Sequence, residues 1–263
     1  MKYIIDLISN IINISALAIV IQASLMRFFT WATDKRYLHA ILSSRNKQFL
    51  VTQALFGPGM IASSFTLDYI LLTENSVIAL HKVTKTLEKN KIRYDLFNTS
   101  TQYYDEIHLG GPISNIHTNA YIEQFFPDFH FCDYLAKQEN HENYYKIHKS
   151  IIEYSDNFHG FIINKVINNQ PQRILFPTDK ESDYMFLIKL TSEDLGCSKT
   201  VHLVFGGSDV GSLVAADFFA RHYKKIYSKQ KDKHYFLAIP VHRTNQSAAI
   251  SMIQDLTEVM FSQ

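Results

Sequence analysis

Several residue types that mark particular protein classes are scarce in this chain of 263 residues. Its two cysteines, Cys132 and Cys197, are too few for a disulfide framework or a zinc cluster, and we interpret them as packed thiols in a reducing compartment. Its 26 basic side chains are balanced by 25 acidic ones, so the positive charge typical of a nucleic-acid-binding protein is missing. We therefore expect no nucleic-acid partner, no metal site and no cofactor.

The familiar catalytic motifs are also missing. The sequence contains no GxSxG nucleophile elbow, no HExxH metal motif and no GxGxxG dinucleotide fingerprint. These motifs therefore identify no catalytic residue and no reaction in this chain.

A long uncharged segment lies near the amino terminus. Twenty residues without a charge separate Asp6 from Arg27, enough for a helix to cross a hydrocarbon core of roughly 30 Å. Aromatic residues follow it, and basic residues are more frequent after the segment than before it, a bias typical of the cytoplasmic side. We predict a transmembrane anchor at 1–30, a connecting helix or linker at 31–46, and a cytoplasmic domain at 47–263. The protein would be a single-pass protein of the inner membrane.

Polar residues share one side of this predicted helix: Asp6, Ser9, Asn10, Asn13 and Ser24. Such a stripe favours association between membrane helices, so we expect a homo-oligomer. A buried amphipathic helix of a soluble protein and a cleaved signal peptide are the alternatives.

The rest of the chain alternates strand-like and helix-like patterns. One predicted helix, Ser76–Lys89, has Val77, Leu80, Val83 and Leu87 on one face. Segments 161–166 and 173–176 flank NNQPQ and predict a β-hairpin. The pattern predicts an α/β fold, with a Rossmann-like, mostly parallel sheet flanked by helices and a β-hairpin insertion.

Glycine is also scarce, but seven of the nine glycines lie in three short stretches, each after a predicted strand. The carboxyl ends of parallel strands form the edge at which such sheets bind ligands. The predicted ligand-binding residues are Gly57, Gly59, Gly110, Gly111, Pro112, Asn115, Gly206, Gly207, Ser208, Asp209, Gly211 and Ser212.

The stretch GGSDVGS, residues 206–212, precedes the strongest helix pattern in the chain. Backbone N–H groups at the start of that helix would favour an anion, and Ser208 and Ser212 would add hydroxyl groups. A phosphate-binding P-loop has lysine where Ser212 stands, so hydrolysis of a triphosphate is not expected. The alternative is a strand-to-helix turn that is capped by Ser208 or Asp209 and holds no ligand.

The second stretch, HLGGPISNIHTN, covers residues 108–119. Asn115 can donate and accept hydrogen bonds, so it could bind a base or a ribose, or it could cap a helix. His108 and His117 flank the turn as possible general bases.

Three segments, GGPISN (110–115), DYMFLIKL (183–190) and VHLVFGGSDVGSLVAA (201–216), resemble the motifs of uncharacterised bacterial proteins with a Rossmann-like domain. That family has GGPxxN, DYxLIxR and a GxxxxGT loop, and Ser212 here takes the place of the threonine. The resemblance implies the fold but no activity. A looser similarity links the glycine turns to nucleotide-sensing domains of bacterial defence systems.

Two functional hypotheses follow. The first is a membrane-anchored sensor or effector that binds a nucleotide or a nucleotide-derived signal at the glycine turns, in bacterial antiviral defence signalling. The alternative is an enzyme that cleaves or transfers a nucleotide or NAD-like glycosidic bond, using Asp183, Asp209 or a loop histidine.

Overall fold

The computed structural model of the chain describes residues 21–29, 48–52, 74–96, 105–132, 152–153, 158–167, 170–230 and 233–262. Its helices are α1 (21–29), α2 (Glu74–Lys89), α3 (Ile116–Phe125), α4 (Ser192–Leu195), α5 (Asp209–Gln230) and α6 (Thr257–Phe261), with a 3-10 turn at Ile250–Met252. Its strands are β1 (Gln48–Thr52), β2 (Arg93–Leu96), β3 (Asp105–Leu109), β4 (Phe129–Cys132), β5 (Ile152–Glu153), β6 (Gly160–Ile167), β7 (Gln170–Pro177), β8 (Ser182–Leu190), β9 (Val201–Gly206), β10 (Tyr235–His242), β11 (Ser247–Ala248) and β12 (Gln254–Asp255).

The described strands form a sheet of eight strands, called here the main sheet, and a sheet of four. The main sheet has the order β11-β10-β8-β9-β3-β1-β2, and β12 also pairs with β10. The pairs β2–β1, β1–β3 and β3–β9 are parallel, whereas β8 is antiparallel to both of its neighbours, β9 and β10. Strands β1, β2, β3, β9 and β10 therefore run in one direction, and β8 runs against them.

Each side of the main sheet is covered by a different layer. Helices α2 and α5 pack on one side, called the helix face, around Leu109, Val204 and Leu187. Helix α3 and the smaller sheet pack on the other side, called the hairpin face, around Leu203, Ile188 and Phe236. Side chains alternate along a strand, so neighbouring residues of β3, β8 and β9 enter different cores.

Aromatic packing joins the smaller sheet to the hairpin face. The smaller sheet has the order β5-β4-β6-β7, and its longest pairing is the antiparallel hairpin of β6 and β7. The ring of Phe161 lies 4.9 Å from that of Phe129 and 5.0 Å from that of Phe186 in the main sheet. All three side chains are buried, and each contributes about 1.5–3 kcal/mol to the free energy of folding.

The helices that follow β1 and β3 among the described elements pack on opposite faces of the main sheet. Helix α2, the next described element after β1, packs on the helix face, whereas α3 follows β3 directly and packs on the hairpin face. Strands β1 and β3 are parallel neighbours. Their carboxyl ends therefore form a switch point, the position at which open α/β sheets generally form a ligand crevice.

The structure confirms the predicted α/β class and the hairpin at β6 and β7. It corrects the predicted mostly parallel sheet to a mixed one. The reason is the short connection 191–200 between β8 and β9, because a crossover between parallel strands needs about a dozen residues or more.

Most of the predicted membrane anchor lies outside the described residues, and so does the connecting helix. Residues 21–29 are helical and exposed. Among the residues that the structure describes, no helix is long and apolar enough to cross a membrane.

Candidate functional site

Two of the three glycine turns meet at the edge of the main sheet where the parallel strands end. Gly110 follows β3 and Gly206 ends β9, the adjacent parallel strand. A Cβ atom added at Gly111 would lie 3.4 Å from the carbonyl oxygen of Gly206, so the two turns are in contact. The third turn, with Gly57 and Gly59, lies outside the described residues, but β1, which precedes it in the chain, ends at this same edge.

The turn of residues 110–115 is closed by Asn115, which is buried. Its side-chain oxygen accepts hydrogen bonds from the backbone N–H groups of His117 and Thr118, at 3.0 and 3.4 Å, and so caps α3. Its amide nitrogen donates to the carbonyl of Leu109 at 2.9 Å. Asn115 therefore has the capping role that the sequence left open, and it ties the start of α3 to the end of β3.

Gly110 and Pro112 shape this turn. Gly110 has a φ of 99°, a backbone conformation that side chains disfavour, and its carbonyl accepts a hydrogen bond from Thr118 Oγ1 at 2.9 Å. Pro112 lies in the bend that follows Gly111. Of the two glycines in this turn, Gly111 is the one that lies against the neighbouring turn.

The second turn, residues 206–212, holds a carboxylate from its own chain. Asp183, the second residue of β8, is fully buried beside it. Its Oδ2 accepts hydrogen bonds from the backbone N–H of Ser208 at 3.0 Å and from the Ser208 hydroxyl at 2.7 Å. Its Oδ1 accepts from the backbone N–H of Gly207 at 3.2 Å and from the Thr178 hydroxyl at 3.0 Å.

The glycines of this turn make room for that carboxylate. A Cβ atom at Gly211 would lie 2.1 Å from Asp183 Oδ2, and one at Gly207 would lie 2.5 Å from Asp183 Oδ1. Burial raises the pKa of the Asp183 carboxyl, while hydrogen bonds from Ser208, Tyr184 and Thr178 lower it. The turn was predicted to favour an anion, and a carboxyl group of the chain itself occupies it, with a pKa that burial raises overall.

The remaining predicted residues of the turn also have partners within the protein. Ser212 Oγ accepts a hydrogen bond from the backbone N–H of Gly206 at 3.1 Å. The Ser208 hydroxyl accepts from the backbone N–H of Gly211 at 3.1 Å, as a helix cap does. Asp209 is exposed at the start of α5, and its Oδ2 accepts from Nδ2 of Asn75, at the start of α2, at 3.0 Å.

A buried polar network lies between β3 and α3, and the sequence did not indicate it. At its centre is Glu106, which is fully buried. Its carboxylate accepts hydrogen bonds from the Tyr121 hydroxyl at 2.6 Å and from Lys199 Nζ at 3.1 Å. His108 Nε2 lies 3.0 Å from the Glu106 oxygen Oε2, and the ring of His117 stacks on that of His108 at 5.3 Å. We call these five residues the Glu106 network.

Charge and burial fix the protonation states in the Glu106 network. Burial lowers the pKa of His108, although its hydrogen bond to Glu106 raises it, and burial raises the pKa of the Tyr121 hydroxyl. Lys199 forms an ion pair with Glu106, and His108 Nε2 lies at hydrogen-bonding distance from the same carboxylate, to which the Nε2–H tautomer of the neutral ring can donate. The network therefore contains one cation and one anion, both largely withdrawn from water.

Because side chains alternate along a strand, Asp105 and Glu106 should point to opposite sides of β3. The structure agrees with this alternation. Ile107 and Leu109 line the helix face, whereas Glu106 contacts Tyr121 of α3 on the hairpin face.

Among the described residues, no group of three or more histidine, cysteine, aspartate or glutamate side chains could hold a metal ion.

Three comparisons with known proteins found no match. No model of a protein family matches it, and neither a curated protein nor a solved structure is significantly similar.

Proposed function

We propose that the chain is a membrane-anchored sensor or effector that binds a nucleotide or a nucleotide-derived signal at the switch point between β1 and β3. The observation that carries the proposal is the departure of α2 and α3 to opposite faces from these two strands. Open sheets of Rossmann type bind their ligands in the crevice at this point. The glycine-rich turn at 110–115 borders the crevice, and the sequence puts Gly57 and Gly59 directly after β1.

The structure changes which turn would hold the charged part of the ligand. Asp183 already accepts the N–H groups of Gly207 and Ser208, and its negative charge opposes a phosphate at the same place. Asp209 and Asn75, in contrast, stand at the starts of α5 and α2 with exposed polar atoms, which suit the hydroxyl groups of a sugar. In the proposed complex the phosphate therefore lies near β1 and β3, away from residues 206–212.

Ligand binding is tested with the full-length chain in detergent micelles. A panel of ATP, NAD, adenosine and cyclic oligonucleotides is screened by thermal shift, and hits are measured by calorimetry. A ligand at 100 times its dissociation constant stabilises the protein by about 2.7 kcal/mol. The absence of any shift across the panel would contradict the proposal.

The site is tested with Gly111→Ala, because a Cβ atom there meets its neighbours at ordinary contact distances of 3.4 Å and 3.7 Å. We expect the folded protein to lose at least about tenfold in affinity, since the methyl group takes up space between the turns of residues 110–115 and 206–212, at the sheet edge where the ligand is proposed to bind. Gly196→Ala, at a turn with nothing within 4 Å of its Cβ position, is the control. Equal affinity in both variants would place the ligand elsewhere.

The same samples test the enzyme hypothesis and the anchor. Chromatography of NAD and nucleotides after incubation would show cleavage products if a glycosidic bond were broken. Fractionation of cells that express the full chain tests the anchor, and recovery in the soluble fraction without detergent would contradict it.

A further inference from the structure

We propose that protonation of His108 releases α3 from the main sheet and thereby opens the turn of residues 110–115, so that pH controls the ligand site. This inference rests on the proposed function, because it concerns the regulation of the same turn. It is carried by the contacts that hold α3 against β3.

Helix α3 is attached to β3 by a small set of polar contacts. Asn115 donates to the Leu109 carbonyl, and Thr118 donates to the Gly110 carbonyl, both at 2.9 Å. Further along the helix, the Tyr121 hydroxyl donates to Glu106, and the His117 ring stacks on His108. The first two contacts hold the predicted ligand turn, and the other two belong to the Glu106 network. A change of charge in the network therefore acts on the helix that begins at the ligand turn.

The groups that face His108 make it the sensitive member of the network. Glu106 faces it from its own strand, His117 and Tyr121 face it from α3, and Lys199 faces it from the segment before β9. Lys199 already balances the charge of Glu106. A proton on His108 would add a second cation to a site from which water is excluded, and this is costly unless the site opens.

The direction of the effect follows from the lowered pKa of His108 in the docked state. When α3 is released, the His108 imidazole is hydrated and takes up a proton at a pH near the ordinary pKa of histidine. When α3 is docked, the buried ring stays neutral at that pH. Docking is therefore fully stable above that range and weakens as the pH falls through it. Acid favours the released helix and the open turn.

Hydrogen exchange of the full-length chain in detergent measures this release without a ligand. Protection factors, corrected for the intrinsic exchange rate at each pH, are compared at about pH 7.5 and about pH 5. We expect protection of the amides of residues 119–122 to fall at least about tenfold at the lower pH. The amides of 215–219 in α5, which packs on the other face, should keep their protection.

Two variants separate His108 from the other histidines. His108→Gln keeps a donor for Glu106 but cannot take up a proton, so α3 should remain protected at both pH values. His222→Gln is the matched control, because burial also lowers the pKa of His222, which lies on α5. The proposal is wrong if His108→Gln loses protection as the wild type does, or if His222→Gln abolishes the effect.

Lys199→Met gives a test that does not alter His108. The Lys199 charge lowers the pKa of His108, and its side chain is 11% exposed, at the border of the network. Without that charge His108 should accept a proton more readily in the docked state, so its pKa lies closer to that of the released state and acid should reduce protection less than in the wild type. An undiminished or larger loss of protection at the lower pH would overturn the proposal.

The switch and the proposed function can fail separately. If acid releases α3 but no nucleotide binds at any pH, the switch stands and the ligand proposal is wrong. If nucleotides bind equally at both pH values while α3 remains protected, the switch alone is wrong.

Discussion

The two described glycine turns lie side by side at one edge of the sheet, yet their glycines serve different purposes. At 206–212 the glycines leave space for Asp183, a carboxylate supplied by a neighbouring strand of the same chain. At 110–115 the backbone conformation requires Gly110, while Gly111 has room for a methyl group. A glycine-rich turn after a strand therefore indicates that something approaches the backbone closely, and that group need not be a ligand.

Among the tests of this difference, Gly211→Ala should have the largest effect on stability. The added methyl group would collide with the buried Asp183 carboxylate and break its hydrogen bonds, so we expect a loss of about 3–5 kcal/mol in the free energy of unfolding. Denaturation in urea measures it. Gly196→Ala, which meets nothing within 4 Å but has a positive φ, should cost only about 1 kcal/mol. Equal losses in the two variants would mean that Asp183 does not explain Gly211.

Removing the carboxylate itself should have the next largest effect. Asp183→Ala leaves the backbone N–H of Ser208 and the hydroxyl of buried Thr178 without their acceptor, whereas the N–H of Gly207 keeps the Tyr184 carbonyl, so we expect a loss of about 2–3 kcal/mol in the free energy of unfolding. The same urea experiment on Asp209→Ala, an exposed carboxylate at the same edge, should show a change within about 0.5 kcal/mol. If Asp183→Ala left the free energy of unfolding unchanged, the turn would not depend on the Asp183 carboxyl group.

The turn at 110–115 depends on its cap. Asn115→Ala removes the acceptor for two N–H groups of α3 and the donor to Leu109, and should cost about 1–2 kcal/mol in thermal or urea unfolding. Asn115→Asp keeps the acceptor and loses the donor, so it should recover part of the loss. If the aspartate is as damaging as the alanine, the bond to Leu109 is the more important contact.

The smallest expected effect is that of Gly111→Ala. Its Cβ atom would meet the Gly206 carbonyl at 3.4 Å and the Phe205 ring at 3.7 Å, so stability should change by no more than about 1 kcal/mol. Calorimetric unfolding beside Gly110→Ala, which forces a side chain onto a positive φ, measures the contrast. A large loss of stability in Gly111→Ala would mean that close contacts require glycine in both turns.

Local patterns predicted most of the elements but not all of their packing. Strands β3, β9 and β10 and the hairpin of β6 and β7 could be predicted from the sequence, because apolar residues and turn residues leave a signal within a few positions. In α2 the predicted face was partly wrong. Val77 is 49% exposed, and the buried side is formed by Ser76, Ala79, Val83, Thr84 and Leu87, because α5 packs closely against small residues.

The contacts that define the site could not be predicted, because their partners are distant in sequence. Lys199 reaches Glu106 across 93 positions, and Asp183 lies 25 positions before Ser208. The available signal was an acidic residue within or directly before a predicted strand, since a carboxylate that the fold buries must find hydrogen-bond donors. The direction of β8 was missed for a similar reason, since it depends on the short connection to β9 rather than on the composition of either strand.

Asp183 also determines the register in which β8 pairs with β9. The two strands pair with Met185 opposite Gly206, and only this alignment brings the carboxylate to the N–H groups of Gly207 and Ser208. A shift by one residue would turn Asp183 towards the aromatic core of the hairpin face and leave both donors unsatisfied. The carboxylate therefore stabilises a single pairing register. Strand β8, which is antiparallel, can pair with β9 at the end of the parallel strands in that position only.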